Sequence, residues 1–331
     1  MKVLNQSSGK DFTLYQGDSC EAIKGLPDNS VDFSIYSPPF SNLYIYSDSE
    51  ADMGNSSNDE EFFQHYSFLI KELFRVTVPG RLSAVHAKDL PLYANRDGAS
   101  GLKDFPGQII RAHEEAGWVY HSRVTIFKDP VIEMQRTKTH GLLYKNFKVR
   151  GEVCRQGMAD YLIVFRKWDG LEGTTASERP VRHDPGVAIP YVGEALPEPT
   201  GLSLFEDTDD HNLRVWQRYA SPVWMDIDQT RVLNYQLAKD NSDEKHICPL
   251  QLDVIERSIQ LWTNPGDVVF SPFAGIGSEG YSALKLGRKF IGIELKESYF
   301  RVAARNLAEA ELQANQTDLF AAAGVEVEGV A

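Results

Sequence analysis

The chain has 331 residues, 42% of them hydrophobic and 24% charged, which suits a globular protein with a substantial core, as one large domain or a domain with an insertion. No stretch approaches the length of a membrane span, and Met1-Lys2-Val3-Leu4-Asn5-Gln6 has no signal-peptide core, so a cytoplasmic protein is expected. A net charge of −13 excludes simple polyelectrolyte attraction to nucleic acid, and three scattered cysteines, Cys20, Cys154 and Cys248, with no CxxC pair, suggest neither a disulfide framework nor a zinc site.

Phe12-Thr13-Leu14-Tyr15 reads as a short strand ending at Gly17-Asp18. Ser30–Tyr36 reads as a second strand, closed by Pro38-Pro39, which cannot donate to a sheet. Residues 41–58, rich in Ser, Asn, Asp and Tyr, predict a mobile loop. Phe62, Phe63, Tyr66, Leu69, Ile70, Leu73 and Phe74 form one apolar face at helical spacing over Asp59–Thr77. Pro79-Gly80 is expected to stop that helix ahead of a strand beginning at Leu82–His86. A helix over Phe105–Ala116, a strand over Trp118–Phe127 and a strand over Ala159–Trp168 follow.

Residues 169–212 change character, with Gly, Pro, Glu and Asp dominating, and read as a linker or irregular lobe. Order returns near Lys245, with a helix over Leu250–Trp262, a strand over Val268–Phe270 and a helix over Ser278–Leu286. A strand over Phe290–Ile293 and an amphipathic helix over Glu297–Leu312 complete the pattern. Strands alternating with helices indicate a mostly parallel α/β sheet with helices on both faces.

Two turns carry the chemistry. Ser37-Pro38-Pro39-Phe40 follows a strand and offers a hydroxyl, a proline carbonyl and an aromatic ring in sequence. Far downstream, Phe270-Ser271-Pro272-Phe273-Ala274-Gly275-Ile276-Gly277 ends another strand and opens a helix. Glycines there let a ligand approach the main chain and the helix N-terminus. Glu294, at the end of the next strand, is the residue type that binds two ribose hydroxyls in dinucleotide-binding sheets. The first turn suits a reaction at an exocyclic amine. The amine lone pair is delocalised into its ring, and acceptors on the N–H groups localise it and receive the departing proton.

In this order, catalytic turn first and glycine turn last, the chain resembles the permuted beta group of DNA amino-methyltransferases, the cytosine-N4 and adenine-N6 family. Pro272, Phe273, Gly275 and Gly277 match the family's Asp-Pro-Phe-x-Gly-x-Gly turn, with Ser271 where Asp is usual, and Phe74–Arg81 matches a stretch that follows the catalytic motif. The resemblance covers roughly residues 1–90 and 245–312. It implies a Rossmann-like methyltransferase fold of permuted motif order with S-adenosylmethionine as cofactor. It also implies cofactor contacts from Asp18, Lys245, His246 and Glu294, and base flipping onto Ser37, Pro38, Pro39 and Phe40.

Ser-Pro-Pro-aromatic is the pattern more typical of cytosine N4, with adenine N6 as the alternative. An enzyme acting on RNA or protein, and a DNA-binding relative without turnover, are the competing readings. The implied organisation is a catalytic half at 1–122, a target-recognition insertion at 123–244, a cofactor half at 245–312 and a flexible tail at 313–331.

Double-stranded DNA is the expected partner. Between Arg123 and Arg155 eight Lys or Arg oppose only Asp129, Glu133 and Glu152, a net of +5 in an acidic chain. Arg136, Lys138, Lys145, Lys148 and Arg150 are the candidate phosphate contacts, and His140 reads as a polar loop residue. Gln316-Thr317-Asp318-Leu319-Phe320 is similar to the short peptide by which bacterial DNA enzymes dock on the sliding clamp, and Gly201–Phe205 is a partial copy lacking the Gln.

Overall fold

The structure is a computed structural model that describes residues 3–40, 53–56, 58–137, 144–149, 151, 156–170, 211–238 and 249–322. Its N-terminal part runs β1 (Asn5–Ser8), β2 (Phe12–Gln16), α1 (Ser19–Ala22), β3 (Val31–Tyr36), α2 (Asp59–Val76) and β4 (Thr77–Lys88). Next come β5 (Leu90–Leu92), α3 (Ala94–Asp97), β6 (Gly101–Lys103), α4 (Phe105–Glu115), β7 (Val119–Ile126), α5 (Pro130–Thr137) and α6 (Tyr144–Val149). The remainder is β8 (Asp160–Arg166), α7 (His211–Tyr219), β9 (Val223–Trp224), α8 (Leu252–Trp262), β10 (Val268–Ser271), α9 (Ser278–Lys285), β11 (Lys289–Glu294) and α10 (Glu297–Ala322).

Nine strands form one sheet in the order β1-β2-β11-β10-β3-β4-β8-β7-β9. The run β2, β11, β10, β3, β4 is parallel throughout, and β8 is inserted antiparallel between β4 and β7. All six residues of β3 are buried, as expected of a parallel strand covered on both faces. Val269 belongs to the core under α8, α9 and α10, whereas its neighbour Phe270 belongs to the core under α2 and α4. Helix α2 starts where the Asn58 side chain accepts the Glu61 N–H at 2.9 Å, and it buries Phe62, Tyr66, Leu69, Ile70, Leu73 and Val76.

Three expectations change. Helix α2 ends at Val76, ahead of Pro79-Gly80, because Thr77 already pairs with Val31 in β4. Lys167 Nζ reaches the Thr77 carbonyl at 2.7 Å, so the helix end is closed by a side chain from β8's far end. Pro79 and Gly80 then lie within β4, where Gly80 takes φ +84 and its N–H bonds the Lys167 carbonyl at 2.7 Å. The insertion expected at 123–244 does not stand apart from the sheet, since residues 123–126 complete β7, and β8 and β9 are hydrogen-bonded members. Finally, α10 continues past Leu312 to Ala322, so helix occupies part of the expected tail, including Gln316–Phe320. Most of 41–58, together with 171–210, lies outside the described residues.

The glycine-rich half packs tightly. A Cβ at Gly280 would fall 2.4 Å from Leu307 Cδ2 and 2.5 Å from Phe290 Cδ1, and one at Gly292 would fall 2.7 Å from Phe290 Cε1. The Phe290 ring fills the space both glycines leave open. Alanine in helix α9 would gain about 1 kcal/mol of propensity, but overpacking costs about 1–3 kcal/mol. Packing therefore decides the sign. Gly280→Ala is expected to lower the melting temperature by about 2–4 °C in calorimetry, and an unchanged or raised value would show that Phe290 can swing aside.

Candidate active site

Strands β10 and β3 are parallel neighbours, with Val269 opposite Phe33 and Phe270 opposite Ser34. From this seam the chain departs in opposite directions, β10 through α9 to β11 and β3 through α2 to β4. Such a switch point opens a crevice beyond the C-terminal strand ends. The two turns found in the sequence sit there together, with the Tyr36 and Phe273 rings 5.9 Å apart. The segment after β2 joins them. Gly17 N–H bonds the Glu294 carbonyl at 3.0 Å, and the Ser19 hydroxyl donates to the Pro272 carbonyl.

On the glycine side, Gly275 (φ +54) donates its N–H to Glu294 Oε2 at 2.8 Å, and Lys296 N–H donates to Oε1 at 2.8 Å. Glu294 is thereby fixed at the rim. Gly277 takes φ +87, and a Cβ there would meet Ala303 Cα at 3.3 Å, so both backbone angle and space favour glycine. Asp18 accepts the Cys20 N–H at 2.9 Å and caps α1, and burial raises its carboxyl pKa. Pro272 and Phe273 connect β10 to this cradle. Lys245 and His246 lie outside the described residues.

The cradle also contains buried polar atoms that suit a polar ligand. Among the described residues, Ser271 Oγ and Ser278 Oγ are buried with no hydrogen-bond partner. Ser271 is fully buried, so an ionised Asp at this position would need a partner for its charge, whereas a serine needs only a hydrogen bond. Glu279, behind the turn, is held up at about 8 by burial, with the Glu294 carboxylate adding to the shift. These observations fit a polar ligand such as S-adenosylmethionine bound beyond the end of β10.

In the turn after β3, Pro38 and Pro39 are buried while Ser37 and Phe40 are half-buried. Phe40 rests edge-on against Phe105 with centroids 6.1 Å apart, and Phe105 is backed in turn by Phe63 at 5.7 Å. Ser37 Oγ lies 3.1 Å from His86 Nδ1, and His86 Nε2 lies 3.2 Å from Asp160 Oδ2. Lys128 Nζ stands 2.7 Å from Asp160 Oδ2 and also bonds Gln229. Burial alone would push the Asp160 carboxyl up, but His86 and Lys128 outweigh it and hold the carboxyl well below the usual range. Sequence reasoning missed His86, Asp160 and Lys128. The only signal was their position at predicted strand ends.

The segment that carries the basic residues starts and ends at the same end of the sheet. Strand β7 runs parallel to β4, so residues 127–159 leave and return at the catalytic end. Arg136 lies on α5 (Pro130–Thr137), and Lys145 and Lys148 are exposed on α6, with Lys148 Nζ over the Tyr144 ring at 5.1 Å. Lys138, His140 and Arg150 lie outside the described residues. No helix among the described residues is long and apolar enough to cross a membrane.

Comparison with known proteins matches this geometry. The chain is 24% identical over 306 residues to the type II methyltransferase M.BglII of Bacillus subtilis, covering 89% of this chain and 68% of that protein. It is 25% identical over 283 residues to M.BamHI of Bacillus amyloliquefaciens, covering 85% of this chain but only 54% of that protein. A Thermus thermophilus protein assigned as a DNA modification methylase, solved with S-adenosyl-L-methionine, superposes with a TM-score of 0.56 at 19% identity, over 90% of this chain and 95% of that one. The profile of the N6/N4 DNA methylase family matches residues 31–305, from β3 into α10. With its catalytic turn ahead of its glycine turn, the chain belongs to that family, as a beta-group DNA amino-methyltransferase that uses S-adenosylmethionine.

Proposed function

We propose that the enzyme methylates the N4 amine of a cytosine flipped out of double-stranded DNA, and that Ser37, Pro38 and Phe40 hold the base. The observation that supports this reading is that Ser37–Phe40 directly follows β3, the parallel neighbour of β10, whose own following turn carries Gly275 and Gly277. Serine at the first position of the turn is the pattern associated with cytosine N4 in this family, and the adenine-N6 enzymes more often carry Asp there.

The Ser37 hydroxyl and the Pro38 carbonyl accept the two amine N–H groups, and with Pro38 and Pro39 buried the turn cannot rotate these acceptors away. S-adenosylmethionine, when bound, supplies a methyl carried on a sulfonium, so the nitrogen–carbon bond forms as the sulfur–carbon bond breaks with its electron pair left on sulfur. The amine nitrogen then sheds one proton toward Ser37. Flipping the nucleotide costs a few kcal/mol. Stacking on Phe40, propped by Phe105, returns about 1–3 kcal/mol. The exposed Lys145 and Lys148 act on the DNA backbone rather than on the base.

Incubation of the purified protein with labelled S-adenosylmethionine and unmethylated genomic DNA, followed by digestion and mass analysis, is expected to yield N4-methylcytosine. N6-methyladenine as the product would retain the mechanism and overturn the base. Phe40→Ala is expected to lower turnover by about 5- to 150-fold, the equivalent of a lost stack, with cofactor affinity within about twofold of wild type. Equal turnover would remove Phe40 from the base site. Glu294→Ala is expected to weaken cofactor binding in calorimetry by about tenfold or more, since hydrogen bonds to a charged group contribute about 1.5–3 kcal/mol. Unaltered affinity would remove Glu294 from the ribose site.

A further inference from the structure

A serine hydroxyl has a weakness as an acceptor for the target amine: it carries a proton of its own. If that proton points at the amine nitrogen, it occupies the lone pair that must attack the methyl group. A carboxylate at the same position has no such ambiguity. The Ser37 proton therefore needs another acceptor, and that acceptor must itself be fixed.

The structure supplies one. His86 Nδ1 is 3.1 Å from Ser37 Oγ, nearer than the His86 carbonyl at 3.5 Å. The other ring nitrogen, Nε2, faces Asp160 Oδ2 at 3.2 Å. A carboxylate there accepts from a protonated Nε2, and in the neutral ring with its proton on Nε2 the Nδ1 atom is an acceptor. Lys128 Nζ, 2.7 Å from the same Asp160 oxygen, keeps the carboxylate ionised. His86 and Asp160 are buried, as is the Lys128 side chain. The Lys128–Asp160 pair would be satisfied without an imidazole beside it, so pairing of the buried charges does not account for His86. Its ring connects that pair to the one hydroxyl in the catalytic turn.

We propose that His86, oriented by Asp160, is the positioning residue that makes Ser37 a pure acceptor toward the amine and takes up the proton the amine sheds. As the methylated nitrogen gives its proton to Ser37 Oγ, the Ser37 proton passes to His86 Nδ1. The imidazolium so formed keeps its Nε2–H on the Asp160 carboxylate, and it returns one proton to solvent after the product leaves. No further reactant enters. This rests on the assignment of Ser37 as the amine acceptor, and the experiment separates the two.

Nitrogen-15 NMR of the histidine-labelled, cofactor-free wild-type protein reads the ring directly, without turnover. The expected result is a protonated Nε2 and a bare Nδ1 for His86, and a proton on Nδ1 would overturn the proposal. His86→Ala is expected to lower kcat by about 100-fold or more, within the range of proton-transfer catalysis. KM for DNA and the cofactor dissociation constant should stay within about twofold. His86→Asn keeps an acceptor near the Nδ1 position but cannot be protonated, and it is expected to recover only part of the loss. Full recovery would leave His86 a positioning role alone and refute the proton uptake. Ser37→Ala serves as the control. If Ser37→Ala is inactive while His86→Ala turns over like wild type, the relay is wrong and the serine assignment stands. If Ser37→Ala retains wild-type turnover, the serine assignment itself fails.

Discussion

The active site depends on the seam between β10 and β3, where two parallel strands distant in the chain lie side by side. Their register is set at the end opposite the chemistry. Asp32 on β3 accepts the Val268 N–H at 2.9 Å, and Arg81 on β4 contacts Asp32 at 3.6 Å and Asp267 at 3.2 Å. The two carboxylate side chains are under a tenth exposed. A buried charge cluster of this kind adds little net stability over apolar packing, but a slip of one residue would strand a charge and turn every side chain of the strand to the other face. The polar cluster at the base of the sheet thus fixes which residues of the two turns meet at its top.

The top of the sheet depends equally on one reversed strand. Because β8 runs antiparallel between β4 and β7, its first residue, Asp160, arrives where β4 and β7 end. His86 comes up β4 and Lys128 follows β7, so three adjacent strands bring a histidine, a carboxylate and an ammonium group to one point beside Ser37. A parallel strand in the place of β8 would present its C-terminal residue there instead.

Much of this was legible in the sequence. Strand β3, helices α2, α4, α8 and α9 and strands β10 and β11 follow from apolar spacing and turn residues, and both functional turns are local motifs. What was not legible is non-local. His86 reads as one residue of a strand, and Asp160 as the start of another; only the antiparallel pairing of β4 with β8 makes them partners. Pro79-Gly80 signals a break, and the break is real, yet it falls inside β4 because sheet pairing from Thr77 overrides the expected loop. The reach of α10 beyond Leu312 was missed because the alanine-rich stretch carries helix propensity without a long apolar face to signal packing.

The chain's acidity poses the remaining question for a DNA enzyme. A net charge of −13 acts at a distance only through solvent, where screening limits its reach to about 10 Å at moderate salt. Several acidic side chains are paired inside the protein, Asp160 with Lys128 and Asp32 and Asp267 sharing Arg81, so the net charge is not spread evenly over the surface. An approaching phosphate therefore responds mainly to the charges within that distance. The chain between β7 and β8, which holds most of the +5 stretch, leaves and returns at the catalytic end of the sheet, and the exposed Lys145 and Lys148 stand on α6 within it. The basic residues are thus carried between the end of β7 and the start of β8, which gives an acidic protein a locally cationic segment beside Ser37 and His86. The same placement ties that segment to the turn after β3, because Lys128 at its root is joined through Asp160 and His86 to Ser37.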